Sequence, residues 1–278
     1  MIKKILSRLY YDHVHHSAFG YRFRHWRGHE PFIELKPYRS QAVVSDIFVW
    51  RCDDIWDTEF ELFNVTSFMF PADSIKETCD LVFFDSAGHI FKKEKIILEP
   101  FERKTLNIRD YVSPRTSIGG FSVFHHSGHE HRFSAQKSHL TERGYIGYRR
   151  KGDQIKSFCH GNLQSLAHEK GRHDYAYVTA SKPHSKYYPQ LIISDSSHIE
   201  LVYTNPTHKH QKINLTFFDR SGKPCHTAEA TLPPRGVHVI SVPNPDMILH
   251  TFENRGGIAL WRPVIFKHYA SHFDAMHG

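Results

Sequence analysis

Two histidine-rich segments are the part of this sequence with the plainest capacity for chemistry. The segment Asp12–His16 offers three imidazoles and a carboxylate, and His125–His131 offers four imidazoles and a carboxylate. Imidazole and carboxylate groups suit Zn²⁺, Fe²⁺ or Ni²⁺. The spacings match no established metal-binding signature, and no other motif implies a cofactor. A divalent-cation site is therefore an alternative to exposed or hydrogen-bonded histidines, and its ligands would be His125, His126, His129 and His131.

A second group combines aromatic rings with hydrogen-bonding side chains on both sides of His160-Gly161-Asn162. Glycine lets a backbone approach closely, tyrosine offers an apolar face, and arginine, asparagine and glutamine offer donors, as in a pocket for a sugar or sugar-phosphate. The alternative is a structural turn in which Asn162 bonds to the backbone. The predicted ligand-binding residues are Arg143, Tyr145, Tyr148, Arg149, His160, Asn162, His184, Tyr188 and Gln190.

The segment Trp50–Asp57 is a third candidate. Its three carboxylates, one arginine and two tryptophans could form a carbohydrate or cation site. An acidic loop held in place by packed tryptophans is the equally supported alternative.

An internal repeat organises the positions of these residues. Leu81–Gly88 recurs 134 positions further on as Leu215–Gly222, so that Phe-Phe-Asp-x-x-Gly occurs twice. A repeat of this kind predicts a duplicated domain. Two further pairs of segments match in the same order, namely Gln41–Asp46 with Gln190–Asp195 and Gly119–Phe124 with Gly256–Trp261.

The repeated unit has the pattern of β-strands. Apolar residues alternate at period two before Asp85 and before Asp219, and each Asp-x-x-Gly is typical of a tight turn. The sequence predicts an all-β protein with two tandem antiparallel β-sandwich domains and a structured connector, with Phe83, Leu106, Phe217 and Ile240 in the cores. The predicted divisions are a leader at 1–30, sandwiches at 31–127 and 186–269, a connector at 128–185 and a tail at 270–278.

Composition narrows the functional classes. The net charge is +7, but the basic residues are scattered, which favours a solvated surface over a nucleic-acid site. The four cysteines form no CxxC pair, and no apolar run approaches the ~20 residues of a membrane span. We therefore expect a cytoplasmic protein. The sequence also lacks the GxGxxG, GxxxxGK[ST], HExxH and GxSxG motifs of common nucleotide-binding, zinc-protease and hydrolase sites.

The strand, Asp-x-x-Gly, strand, Pro, strand pattern of Asn205–Val242, and less closely of Asn64–Ile108, resembles the small β-sandwich of the sensory rhodopsin transducer family. That resemblance implies a binding or signalling module rather than an enzyme. Through Ser45–Arg51, His160-Gly161-Asn162 and Tyr188-Pro189-Gln190, the whole chain also resembles uncharacterised bacterial proteins of surface-polysaccharide loci.

These features favour a non-catalytic or accessory protein that binds a glycan, a sugar-phosphate or another anionic ligand in the groove between its domains. A metal-dependent enzyme that uses the histidine clusters and a regulatory interaction module are the alternatives. Whether a reaction is catalysed stays open. Exposed sheet edges would also permit a homo-oligomer.

Overall fold

In the computed structural model, every strand pair of the described residues is antiparallel. Within these residues no helix is long and apolar enough to cross a membrane. The structure describes residues 6, 34–35, 43–112, 117–129, 132, 144–168, 175–177, 179–180, 186–187, 198–205, 210–242, 249–254 and 263–277.

The first domain is a sandwich of two sheets. One has the order β11-β10-β2-β7-β4-β5 and the other the order β6-β3-β8-β9. Its strands, with the short β1–β12 pair, are β1 (Glu34–Leu35), β2 (Val43–Arg51), β3 (Trp56–Phe63), β4 (Glu77–Asp85), β5 (Ile90–Leu98), β6 (Arg103–Asn107), β7 (Ile118–His126), β8 (Gly144–Arg150), β9 (Ser157–His160), β10 (Asn162–His168), β11 (Tyr175–Tyr177) and β12 (Thr179–Ala180). The described residues also include α1 (Val65–Met69), the 3-10 turns Pro71–Asp73 and Ile108–Asp110, and single helical residues at Leu6 and Arg132.

Aromatic side chains fill the space between these sheets. On β3 every second residue is buried, which places Phe60 against Phe48 and Phe121 of the facing sheet, with ring centroids 4.7 and 5.0 Å apart. Phe83 and Leu106 belong to the same buried cluster. The period-two alternation of the sequence thus fixes which face of each strand meets the core.

The second domain is a smaller sandwich with sheets ordered β13-β18-β15-β16 and β17-β14-β19-β20. Its core contains Phe217 and Leu201, with Ile240 partly buried against them. Its strands are β13 (Lys186–Tyr187), β14 (His198–Thr204), β15 (Gln211–Phe218), β16 (Pro224–Leu232), β17 (Val237–Ser241), β18 (Leu249–Asn254), β19 (Val264–His268) and β20 (Phe273–His277). The prediction of two all-β antiparallel sandwiches is confirmed.

The two sandwiches share one strand order. The orders β2-β7-β4-β5 and β6-β3-β8-β9 correspond, strand for strand, to β13-β18-β15-β16 and β17-β14-β19-β20. In both Asp-x-x-Gly turns the glycine N–H donates to the aspartate carbonyl, from Gly88 to Asp85 and from Gly222 to Asp219, each at 3.0 Å. This likeness is what a duplication would produce, and the common origin of the halves stays a prediction.

A buried asparagine repeats as well, although the sequence did not single it out. The side-chain amide of Asn64 donates to the carbonyls of Ile75 and Glu99, and that of Asn205 donates to the carbonyls of Leu232 and Pro233. In each domain this amide therefore ties the end of one strand to the turn that follows the next hairpin.

One of the sequence matches is wrong. Phe84 pairs with Gly120 on β7, and its counterpart Phe218 pairs with Leu249 on β18. The counterpart of Gly119–Phe124 is therefore β18 and not Gly256–Trp261, because cross-strand pairing and not shared glycines sets the register. Gly256–Trp261 and Gln190–Asp195 themselves lie outside the described residues.

Much of the segment predicted as a connector belongs to the first sandwich. Strand β8 pairs with β3, β9 pairs with β8, and β10 pairs with β2. Residues 144–168 therefore complete both sheets of the first domain, and a division at residue 127 would cut through it.

The second domain packs on the first through the outside of its β17-β14-β19-β20 sheet. This surface, called the junction face, joins the buried cluster of the first domain through Val202, Val264, Phe266, Phe273 and Ala275. Trp56 stands edge-on to Phe273 at 4.6 Å, and Tyr148 to Phe266 at 4.8 Å. The two sandwiches thus share a continuous core, and side chains fill the groove between them along this contact.

We expect Phe217→Ala to lower the free energy of unfolding by about 3–5 kcal/mol, since the ring is fully buried and its loss leaves a cavity. Chemical denaturation followed by circular dichroism measures this change. The control Ile155→Ala removes a side chain that is 73% exposed and should cost less than about 0.5 kcal/mol. Similar costs for both variants would contradict this assignment of the core.

Candidate functional site

The exposed side of the β6-β3-β8-β9 sheet, called the outer face, gathers the residues best placed to meet a ligand. Trp56, Phe60 and Leu62 point into the core, so the alternate residues of β3 point outward. The same alternation applies to the neighbouring strands. From the strand phase and register, the outer face consists of Asp57, Glu59, Glu61, Phe63, Arg103, Thr105, Asn107, Tyr145, Gly147, Arg149, Phe158 and His160.

Two exposed aromatic rings lie on β8 and β9 of the outer face. Tyr145 is 60% exposed and Phe158 is 48% exposed, on neighbouring strands. Gly147 is the partner of Phe158 across the ladder, and a Cβ at this glycine would lie 2.6 Å from the Phe158 ring. Glycine at this position therefore lets the Phe158 ring cover the neighbouring strand, and the two rings form an apolar platform.

Paired charges surround this platform. Glu61 accepts hydrogen bonds from Arg103 Nε at 2.8 Å and from Thr105 Oγ1 at 2.9 Å. The bond from Arg103 is the largest influence on Glu61 and lowers the pKa of its carboxyl group, so this group stays ionised near neutral pH. The ammonium group of Lys156 likewise forms an ion pair with the carboxylate of Glu59. These carboxylates are therefore held in fixed orientations.

Asp57 lies at the start of β3, at the end of the outer face that is far from Arg103. It accepts from Arg109 Nε at 2.6 Å, and a guanidinium nitrogen of Arg149 lies 3.6 Å from its other oxygen. Because Arg109 makes the shorter contact and also donates to the carbonyls of Asp53 and Trp56, Arg149 is the more weakly held of the two arginines. Arg149 is therefore the guanidinium that a ligand could engage more easily.

His160 marks the edge where the outer face reaches the second domain. Its ring stacks on His277 with centroids 4.6 Å apart, and its Nδ1–H donates to the Gly161 carbonyl at 2.8 Å. A Cβ on Gly161 would lie 2.6 Å from an Asp46 carboxylate oxygen, so glycine is needed for this close approach. The predicted role of Gly161 in close backbone packing fits this geometry.

The structure separates the predicted ligand-binding residues. Tyr145, Arg149 and His160 share the outer face, but the prediction for Tyr148 is wrong. Tyr148 is three residues after Tyr145 and so points to the opposite side of β8, where it is fully buried and donates to the Val49 carbonyl at 2.7 Å. Burial raises the pKa of Tyr148 well above its ordinary value.

The side chains of the remaining predicted residues lie outside what the structure describes. Asn162 pairs through its backbone with Ile47 at the start of β10, and its side chain lies outside what the structure describes. Phe158, Glu59 and Glu61 belong to the site although the sequence did not single them out, and the period-two phase of β9 and β3 is the signal that points to them. Outside the described residues lie Arg143, His184, Tyr188 and Gln190.

The histidine segments do not converge on a metal site in the described part of the chain. His125 is buried, with its Nδ1 3.2 Å from Glu77 Oε1 and 3.4 Å from Cys79 Sγ, while His126 Nε2 lies 3.1 Å from Asp80 Oδ2. Among the described residues no group of three or more His, Cys, Asp or Glu side chains could hold an ion.

His129 has a different neighbourhood. Its Nε2 donates to the Asp73 carbonyl at 3.1 Å, and its ring packs on Phe70. The three described histidines of this cluster therefore have local protein partners, as the hydrogen-bonded alternative expects. His131 and the segment Asp12–His16 lie outside the described residues.

The segment Trp50–Asp57 anchors the domain junction. Both of its tryptophans are buried, and Asp53 caps the loop by accepting from the N–H groups of Ile55 and Trp56 at 2.8 Å. Arg51 packs over the Trp56 ring at 4.9 Å and binds both carboxylate oxygens of Glu200 in the second domain, at 2.5 and 3.3 Å. The alternative of a loop pinned by packed tryptophans describes this segment.

Glu200 makes the junction sensitive to acid. Burial alone would raise the pKa of Glu200, but hydrogen bonds from His268 and Arg51 outweigh burial and lower the pKa to about 2. Folding lowers the pKa of Glu200 from its ordinary value of 4.5. The stability that the ionised Glu200 contributes is therefore complete above about pH 4.5 and is lost as the pH falls towards 2.

We expect Glu200→Gln to destabilise the protein at pH 7 by about 1–2 kcal/mol, after allowance for solvent screening, and the difference from wild type to narrow between pH 4.5 and 2. Urea denaturation over this pH range measures the effect. Glu99→Gln, which removes an exposed ion pair with Lys76, is the control and should change stability by less than about 0.5 kcal/mol at any pH. A difference for Glu200→Gln that stays constant with pH would contradict the linkage.

Comparisons with known proteins give no family for this chain. No protein-family model and no curated protein match it. Among solved structures, a β-glucuronidase from glycoside hydrolase family 2 aligns at 9% identity and a TM-score of 0.15, over 83% of this chain and 23% of that one. Bacteroides uniformis β-glucuronidase aligns at 10% identity and the same TM-score, over 84% and 25% of the two chains.

A family 2 glycosyl hydrolase from Bacteroides cellulosilyticus gives the same TM-score of 0.15, at 8% identity, over 88% of this chain and 29% of that one. The chain thus spans about a quarter of the length of the structures that it aligns with. A TM-score of this size does not establish a common fold.

Proposed function

We propose that this protein is a non-catalytic glycan-binding protein whose ligand lies across the outer face. The observation that carries the proposal is the pair of exposed rings, Tyr145 and Phe158, set among paired carboxylate and guanidinium groups. Aromatic rings pack against the C–H faces of sugars, while charged side chains make strong hydrogen bonds with hydroxyl groups. The outer face offers both kinds of group on one rigid sheet.

A comparison with the equivalent sheet of the second domain supports ligand binding by the outer face. The cross-strand row Thr105, Glu61 and Tyr145 on the outer face occupies the place that Val239, Val202 and Val264 occupy in the second domain. In the second domain this row is apolar and packs against the first domain. Contact with water accounts for the polar groups of the outer face, but it does not account for the exposed rings of Tyr145 and Phe158, and these rings favour contact with a ligand.

The electrostatics favour binding over hydrolysis. A glycosidase needs one carboxylic acid whose pKa is raised so that it can protonate the leaving group. The hydrogen bond from Arg103 instead lowers the pKa of Glu61, and Glu59 is engaged by Lys156. These carboxylates are therefore suited to accepting hydrogen bonds from sugar hydroxyls.

A flat sheet face with two rings suits an extended oligosaccharide better than a single buried sugar. Since Arg149 is only loosely paired with Asp57, an acidic sugar could bind its guanidinium. A cytoplasmic location, a homo-oligomeric state and kinship with the sensory rhodopsin transducer family or with proteins of surface-polysaccharide loci stay predictions.

We expect the intact protein to bind oligosaccharides on a glycan array. Tyr145→Ala should weaken the affinity for the best ligand at least about tenfold, because the variant loses a stacking surface of the outer face. Isothermal titration calorimetry measures the affinity. Phe158→Ala is a second variant with the same expected effect.

Phe91→Ala is the matched control, since Phe91 is also an exposed ring of the first domain but lies on β5, in the other sheet. It should bind the oligosaccharide as tightly as wild type does. The absence of any specific glycan from the array, or equal weakening by all three substitutions, would argue against the outer face as the binding site.

A further inference from the structure

A cleft of about 500 Å³ opens where a hairpin turn of the first domain meets a turn of the second. Its walls are residues 87–89 after β4, His210 before β15, and residues 233–235 between β16 and β17. It is separate from the outer face, because none of these residues lies on β3, β6, β8 or β9. The volume falls within the ~300–1,000 Å³ of sites for small molecules.

The base of this cleft is fixed by a close contact between the two turns. The Val237 N–H donates to the Ser86 carbonyl at 3.0 Å. A Cβ on Gly88 would lie 1.7 Å from the Pro234 carbonyl oxygen, and the φ of Gly88 is 87°, so only glycine fits. The relative position of the walls therefore does not depend on flexible side chains.

Nitrogen-bearing side chains from both domains surround the cleft. The first domain contributes His89, and the second contributes His210 and Arg235. Asp85 faces His89 from the same turn, with its carboxylate 3.2 Å from His89 Nδ1. In this contact the ring donates from Nδ1 to the carboxylate, which ties the His89 side chain to its own turn. No acidic residue is among the described residues that line the cleft.

The corresponding positions of the repeat show that the fold alone does not account for this arrangement. Arg235 has a left-handed backbone with φ 56°, and its counterpart in the first domain is Phe101 with φ 64°. The counterpart of the Gly88 turn is the Gly222 turn, where a Cβ would meet nothing within 4 Å. In the described part of the chain, Arg235, His89 and His210 thus line one cleft where the two domains meet.

We propose that this cleft binds the phosphoryl group of a small phosphorylated molecule, with a sugar phosphate as the ligand class. The Arg235 guanidinium supplies paired N–H donors that match phosphate oxygens, and the imidazole N–H of His210 supplies a further donor. The rings of Pro233 and Pro234 supply an apolar wall for the carbon skeleton of the ligand. This site is independent of the glycan site on the outer face.

Isothermal titration calorimetry of the whole protein with inorganic phosphate, a hexose 1-phosphate and the unphosphorylated hexose tests this proposal. We expect both phosphorylated probes to bind and the free hexose not to bind through this cleft. Tighter binding of the hexose phosphate than of inorganic phosphate would show that the proline wall contributes. Equal affinities would show that the cleft reads the phosphoryl group alone, which also supports the site.

Arg235→Gly keeps the left-handed backbone and removes the guanidinium, so it should weaken phosphate binding at least about tenfold. His210→Ala is a second variant at an exposed position, where folding is not at risk, and should also weaken binding. Lys223→Ala is the control. It removes one positive charge, as Arg235→Gly does, but from the equivalent turn of the second domain, which does not line the cleft.

Lys223→Ala should bind phosphate as wild type does. The proposal is overturned if neither phosphorylated probe binds the wild type, or if Arg235→Gly and His210→Ala bind as tightly as wild type. Equal weakening by Lys223→Ala would also overturn it, because binding would then reflect net charge rather than this cleft. Glycan binding by the outer face should be unchanged in all three variants, which separates this test from that of the proposed function.

Discussion

Burial of the apolar junction face is the interaction on which the rest of this structure depends. An antiparallel sheet can leave one face in water only if that face is polar, and the outer side of the second domain's β17-β14-β19-β20 sheet carries Val202, Val264 and Phe266. The open side of the first sandwich receives these side chains around Trp56 and Tyr148. The bidentate pair of Arg51 with Glu200 then fixes the orientation of this contact.

This packing decides which surfaces remain for function. The junction face is covered, whereas the equivalent face of the first domain is exposed and carries different residues. Where the second domain has Val202 and Val264, the first has Glu61 and Tyr145. The same strand arrangement thus serves for assembly in one domain and, as we propose, for recognition in the other. The contact between the turns at Gly88 and Pro234 is also part of this packing, and it forms the base of the cleft between the two domains.

Local sequence patterns predicted the fold class because they act over a few residues. Alternation at period two placed Phe83 and Phe217 in the cores, and the Asp-x-x-Gly turns formed where their spacing indicated. Long-range pairing was harder to read. The partner of β8 is β3, more than eighty residues earlier, so residues 144–168 could not be assigned to the first sandwich from their own composition.

The candidate site was predicted only in part, again because long-range strand pairing could not be read from the sequence. Nearness in sequence grouped Tyr145 with Tyr148, but three residues along a strand reverse the side-chain direction, which sends Tyr148 into the core. The phase of the Gly-Tyr-Ile-Gly-Tyr segment is ambiguous, since aromatic residues occur on both of its faces. The period-two phase of β3 and β9 points Glu59, Glu61 and Phe158 outward, but only cross-strand register, which is not a local property of the sequence, places them beside Tyr145.

The most direct test of the central claim is hydrogen–deuterium exchange, followed by mass spectrometry, with and without an oligosaccharide selected on a glycan array. Binding across the outer face should slow exchange in peptides from β3, β6, β8 and β9, and should leave β14 and β19 at the junction unchanged. Protection confined to the second domain, or to the six-stranded sheet of the first, would contradict the account.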